Sequence, residues 1–194
     1  FFHPAAFYLV MGYSESIFLA SMLLYFYWCE HPDPRKKWWA VAPGFVMTAT
    51  RIVGLPVAAY PLFAAMFAGK LKQSKQAVAV TTLSCLGALV FFAYCQWRFG
   101  DFRLYMLTQK VGWGLEPDYG AILRWSKITY LTTYDRASTI ASAIAIALAW
   151  LAELVLAAYK RRRPDPVRVA LLICASAIFY ITLCGLKAVL MRSM

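Results

Sequence analysis

The chain has 194 residues, 62% of them hydrophobic and only 15% charged, where soluble domains carry roughly 25% charged residues. Twenty Lys and Arg against nine Asp and Glu leave a net charge of +11, and the mean hydropathy is +0.58. A disordered chain, a nucleic-acid-binding domain and an ordinary soluble enzyme are excluded. The basic residues sit between long apolar runs, the pattern of an integral membrane protein whose loops face an anionic leaflet.

The sequence opens on Phe1-Phe2-His3-Pro4, with neither an initiator Met nor a secretory signal pattern. It is expected to be a piece of a longer polytopic protein. Residues 4–29 are long enough to span a membrane but are interrupted by Gly12-Tyr13-Ser14-Glu15-Ser16. That pattern predicts a short broken piece, then a helix from about Ser16. Glu15 is the lone charge between Pro4 and Cys29.

Residues 38–69 cannot form one span. A 32-residue helix would measure roughly 48 Å, against a hydrocarbon core of about 30 Å. The segment carries Arg51 near its middle and prolines at 43, 56 and 61. Two short helices meeting near Thr50-Arg51 avoid holding a charge at membrane depth. Arg51 then sits at the far membrane face or in a polar cavity.

Residues 77–97 are uncharged and qualify as a membrane helix; residues 137–159 qualify with one charge, Glu153; residues 169–186 are again uncharged. Between the first two lies a 39-residue stretch, 98–136, in which aromatics mix with charges. Such a mixture suits the headgroup region, and residues 103–111 can form an amphipathic helix lying in the interface. Gly112-Trp113-Gly114 and Pro117 are expected to end it.

The basic clusters are Arg35-Lys36-Lys37, then Lys70, Lys72 and Lys75, then Lys160-Arg161-Arg162-Arg163 with Arg168. If residues 38–69 enter the membrane and return on the same side, all three clusters are cytoplasmic, as the positive-inside rule prefers. Residues 1–14, 98–136 and the C-terminal end then face the exoplasmic side. The fold expected is all-α: a single polytopic transmembrane domain over residues 1–194 with broken membrane helices.

Five cysteines lie in or beside apolar runs without CxxC spacing, and read as small buried hydrophobes. His3 and His31 are isolated, which disfavours a histidine–metal site. No cofactor is called for, and the sequence leaves dependence on a divalent metal open.

Three groups of residues resemble the PIG-V family of mannosyltransferases and its bacterial relatives, members of the GT-C superfamily. The first is Pro4-Ala5-Ala6-Phe7 followed by Gly12-Tyr13-Ser14-Glu15-Ser16, similar to the family's apolar turn leading into a Tyr-Ser/Thr-Glu-Ser helix start. The second is Thr50-Arg51-Ile52-Val53-Gly54, similar to its Arg-x-x-Gly between two short apolar helices, although many bacterial members carry Pro where this chain has Ile52. The third is Arg98-Phe99-Gly100-Asp101 followed by Gln109 and Trp113, similar to the family's Phe-Gly loop leading to a Gln and a Trp. No single motif is specific; their order and spacing are, most strongly over residues 1–115.

The resemblance implies a GT-C-like helical bundle with an exoplasmic loop bearing an interfacial helix, in a bacterial plasma membrane or the endoplasmic reticulum membrane. It implies transfer of a sugar, usually mannose, from a polyprenyl-phosphate donor to a lipid or glycan acceptor, with membrane lipids as further partners and no nucleic acid. It places the catalytic carboxylate upstream of Phe1, so residues 1–194 are expected to be inactive by themselves. Arg51 is expected to bind the donor phosphate, because a guanidinium pairs bidentately with phosphate oxygens; the plain alternative is an arginine snorkelling to the headgroups. Glu15 is expected to contact the substrate, or simply to satisfy a helix start. Asp101 and Gln109 are further substrate-binding candidates. Trp113 can stack on a sugar or belong to an interfacial aromatic belt. Glu153 is either a functional pairing residue or a charge near the cytoplasmic end beside Lys160. A membrane transporter or structural subunit is the rival reading, since transporters also use broken helices and midplane charges.

Overall fold

The computed structural model describes residues 14–69, 74–113, 133–161 and 163–190, and these are helical, with no strand among them. The chain divides into two compact units, one ending at Tyr94 and one beginning at Cys95.

In the first unit, helix α1 (Ser14–Cys29) starts two residues before the expected Ser16, with Glu15 in its first turn where the helix dipole favours an anion. A 3-10 turn (Lys36–Ala40) leads into α2 (Val41–Thr50). Arg51 then leaves the helical path altogether, at φ −148° and ψ 132°. Two short helices follow, α3 (Gly54–Ala58) and α4 (Tyr60–Phe67). The expected break between about Thr48 and Pro56 is present, at Arg51–Val53. A second break, at Ala59, goes beyond the two helices expected. Its cause is Pro61, which has no N–H for the Val57 carbonyl and disturbs the turn before it.

That second break strands a carbonyl. In a continuous helix, Leu62 N–H would reach the Ala58 oxygen; here it donates to Ala59 instead, at 3.0 Å. The Tyr25 hydroxyl takes the vacant place, donating to the Ala58 oxygen at 2.7 Å in a fully buried setting. Tyr25, Met47, Val57, Ala58 and Tyr60 form the core where α1 meets the broken hairpin. The Tyr60 hydroxyl in turn donates to Glu30 Oε1 at 2.6 Å, just past the end of α1.

Helix α5 (Lys75–Phe99) packs on α2 through small residues. A Cβ on Gly87 would strike the Phe45 carbonyl oxygen, and one on Gly44 would strike the Ser84 hydroxyl. The hydroxyl of Thr48 donates to the Ser84 carbonyl oxygen at 2.5 Å. Small residues with a hydroxyl crosslink are how apolar helices approach closely where lipid supplies no hydrophobic drive.

In the second unit, α5 ends at a left-handed Gly100 (φ 74°), whose N–H donates to the Gln96 carbonyl at 2.9 Å. Helix α6 (Leu104–Trp113) follows, running two residues past the expected end at Val111. Residues 114–132, most of the rest of the aromatic loop, lie outside the described residues. Helix α7 (Thr133–Tyr159) starts four residues before the expected 137, and α8 is Pro166–Leu190.

The α7–α8 hairpin is closed by Glu153. This residue is only 6% exposed. Its Oε1 accepts the Asp165 backbone N–H at 2.8 Å, and its Oε2 meets Arg168 at 3.4 Å. Glu153 therefore ties down the start of α8, and its cation is Arg168. On the next turns, Trp150 Nε1 donates to the Ser176 hydroxyl at 3.2 Å.

Helix α5 and residues Thr139–Tyr159 of α7 are long and apolar enough to cross a membrane. Only a minority of each apolar stretch is buried against the rest of the protein. On α7, Ile140, Ile144, Leu148, Leu151, Leu154 and Val155 are all exposed. An apolar face of that extent demands an apolar surrounding.

Candidate functional site

The site begins with one backbone carbonyl, that of Met47 in the last turn of α2. It receives the Thr50 hydroxyl at 2.9 Å and the Arg51 N–H at 3.2 Å. The chain then extends through Arg51 and turns back. Gly54 N–H donates to the Arg51 carbonyl at 2.9 Å, and Leu55 N–H to that of Ile52 at 3.1 Å. A Cβ on Gly54 would lie 2.9 Å from the Met47 oxygen, tighter than real side chains allow. The spacing Thr50-Arg51-x-x-Gly54 thus has a local cause. Thr50 and Arg51 complete the end of α2, and only a glycine lets α3 start against it.

This geometry turns the Arg51 side chain toward the start of α1. Arg51 Nη1 lies 3.0 Å from Glu15 Oε1. The two side chains are 39% and 31% exposed, so the pair is neither solvated freely nor sealed. Pairing offsets the cost of a lone charge at depth, the cost that disfavours a single span through Arg51. The contact uses one guanidinium nitrogen and one carboxylate oxygen. The other carboxylate oxygen, Glu15 Oε2, is buried and without a hydrogen-bond partner among the described residues. A buried acceptor left open costs of the order of 1–3 kcal/mol and marks a place where a donor can enter.

Arg51 and Glu15 are therefore brought together from two separate motifs. Asp101, Gln109 and Trp113 belong to the other unit. Asp101 Oδ1 accepts the Arg103 backbone N–H at 2.7 Å, and the Leu104 N–H reaches the Asp101 carbonyl at 3.2 Å. Asp101 thus closes the turn that precedes α6, with Arg103 Nε at 4.0 Å from its carboxylate. Gln109 and Trp113 ride on α6, and their side chains lie outside the described residues. No group of three His, Cys, Asp or Glu placed to hold a metal ion occurs among the described residues.

Sequence reasoning misses the supports of the site: Tyr25 at the Ala58 carbonyl, Thr48 at Ser84, and Tyr60 at Glu30. Each joins residues far apart in the chain, so no local pattern announces them. A signal is present for one: a Tyr in an apolar helix must place its hydroxyl somewhere.

In comparisons with known proteins, the chain matches no protein-family model, no curated protein and no solved structure.

Proposed function

We propose that the protein is a multi-pass membrane glycosyltransferase of GT-C type. It moves a sugar, mannose by the resemblance, from a polyprenyl-phosphate donor to a lipid or glycan acceptor on the exoplasmic face. The observation that supports this reading most is the Arg51–Glu15 pair at the hairpin break, with one carboxylate oxygen open. An arginine bound through a single nitrogen keeps N–H donors for a phosphodiester. The adjacent open oxygen accepts a hydroxyl, as a sugar requires.

In the reaction, a carboxylate takes the proton of the acceptor hydroxyl while the new glycosidic bond forms at the anomeric carbon. The bond from that carbon to the phosphate oxygen breaks, and polyprenyl phosphate leaves with the electron pair. Arg51 stabilises the negative charge that develops on the leaving phosphate. By the resemblance, the proton-accepting carboxylate lies upstream of Phe1. In this reading helix α6 follows the exoplasmic interface and supplies Gln109 and Trp113 as sugar contacts.

The test uses the full-length protein, a polyprenyl-phosphate mannose donor and an acceptor lipid. Arg51→Ala is expected to lower turnover about a hundredfold, the usual loss when one stabilising donor is removed, of the order of 3 kcal/mol. Arg51→Lys restores only part, since an ammonium lacks the planar fork. Near-normal turnover in a folded Arg51→Ala protein would reduce the residue to a membrane anchor and remove the main support for this function. The transporter reading predicts instead that Arg51→Ala abolishes substrate counterflow in a protein with no transferase activity at all.

A further inference from the structure

The opposite end of the first unit carries a second constellation, which the transferase reading does not use. Arg35, Lys36 and Lys37 stand on one tight turn at the entry to α2, and Trp38 and Trp39 follow directly. Trp38, Trp39, Val41, Ala42, Phe45 and Val46 line an open apolar groove of about 530 Å³. Trp39 is 66% exposed, yet its ring is braced: Trp28 lies 6.1 Å from it between centroids, and His31 stacks on Trp28 at 5.6 Å. His31 is itself held, its Nδ1 accepting the Asp33 N–H at 3.1 Å.

Among the described residues the three cations, Arg35, Lys36 and Lys37, form no ion pair. The acids nearest in sequence are engaged elsewhere: Glu30 accepts the Tyr60 hydroxyl, and Asp33 accepts the Arg35 backbone N–H at 2.9 Å. Three clustered positive charges beside an aromatic groove complement a molecule with an anionic head and an apolar tail.

We infer that this turn and groove form a binding seat for one anionic phospholipid, its headgroup phosphate on Arg35, Lys36 and Lys37 and an acyl chain along Trp39 and Phe45. Charge complementarity fixes the class. A zwitterionic lipid offers the same chain but no net charge, and an inorganic phosphate offers the charge but no chain. Basic residues at a membrane surface favour anionic lipid, an attraction that salt screens. Three of them sharing one headgroup give a preference of about tenfold for anionic over zwitterionic lipid. The seat is independent of any sugar transfer.

The test reads tryptophan fluorescence of the full-length protein in phosphatidylcholine vesicles, quenched by a minor fraction of lipid brominated on its acyl chain. Brominated phosphatidylglycerol is expected to quench about tenfold more effectively than brominated phosphatidylcholine, and high salt should narrow the gap. The preference should disappear in the Arg35→Gln/Lys36→Gln/Lys37→Gln protein. The excess quenching should disappear in Trp38→Phe/Trp39→Phe, which removes the reporters while keeping the cations. Equal quenching by both lipids in the unaltered protein would show bulk lipid wetting the groove and overturn the seat. So would a preference that survives the triple substitution or high salt, or competition by inorganic phosphate alone. Absence of quenching by either lipid, with a dimeric mass, would overturn the seat too and assign the groove to a second copy of the chain. If the triple variant fails to fold, the salt dependence of the unaltered protein decides.

Discussion

Arg51 and Glu15 are each legible as the lone charge of an apolar segment, but their partnership is not. A sequence shows that an intramembrane charge is expensive; it does not show which distant charge offsets it. The pair has a measurable asymmetry. Both side chains retain some access to solvent, so the ion pair itself contributes modestly to stability, of the order of 1 kcal/mol or less. If Glu15 serves the reaction by orienting Arg51 and accepting a hydroxyl, Glu15→Gln should lower turnover by tenfold or more. Its thermal midpoint in detergent should shift by only a few degrees. Glutamine is nearly the shape of glutamate but holds the guanidinium without charge. A loss of stability matching the loss of activity would mean that Glu15 merely starts α1. Asp101 gives the contrasting case. Its carboxylate is already used in the turn that precedes α6, so Asp101→Asn, which keeps an oxygen acceptor for the Arg103 N–H, should leave stability almost unchanged. A large fall in turnover in that variant would assign Asp101 to the substrate as well.

At the scale of elements, the hairpin over residues 38–69 is readable because length, prolines and charge all point to a break. Its position near Arg51 follows from the same signs. The second break at Ala59 carries a sign in Pro61, but a single break at Arg51 already accounts for length, prolines and charge together, so nothing in the sequence demands a second one. What closes the hairpin is also hidden, because it depends on backbone atoms meeting across helices. Gly54 and Gly87 make this testable. Alanine in a helix is favoured over glycine by about 1 kcal/mol. At Gly54 the added methyl would lie 2.9 Å from the Met47 carbonyl oxygen, and at Gly87 it would overlap the Phe45 carbonyl oxygen still more severely. Backbone cannot yield as a side-chain tip can, and overpacking costs typically about 1–3 kcal/mol. The clash should therefore outweigh the propensity gain at both positions. Gly87→Ala should lower the thermal midpoint more than Gly54→Ala, while Gly54→Ala should disturb Arg51 and depress transfer more than its stability loss explains. An unchanged midpoint for Gly87→Ala would mean that α2 and α5 do not approach as described.

At the scale of the whole molecule, composition alone points to a membrane, and the exposed apolar face of α7 agrees with that. The span that carries Glu153 is readable, but the residue's partner is not. Proximity in sequence favours Lys160, whereas the turn after α7 carries the chain back so that Asp165 and Arg168 reach the carboxylate. Topology rests on a different argument, the distribution of charge. With the hairpin returning to its side of entry, all three basic clusters share one face and residues 98–136 lie on the other. Moving these clusters across would violate the positive-inside rule in short loops, where the rule is strongest. Asp118 and Lys72 both lie outside the described residues, the first in the aromatic loop and the second in the basic cluster that follows α4 in sequence. In a background where the five native cysteines are replaced, Asp118→Cys should react with a membrane-impermeant maleimide in vesicles sealed with the exoplasmic face outward. Lys72→Cys should react only after the vesicles are opened. Lys36 precedes residues 38–69 as Lys72 follows them, so Lys36→Cys should likewise react only after opening. Reaction of Lys36→Cys before opening while Lys72→Cys stays protected would mean that residues 38–69 cross the membrane an odd number of times. Arg51 could then not sit at the turning point of a re-entrant hairpin, and the place proposed for the donor phosphate would fall with it.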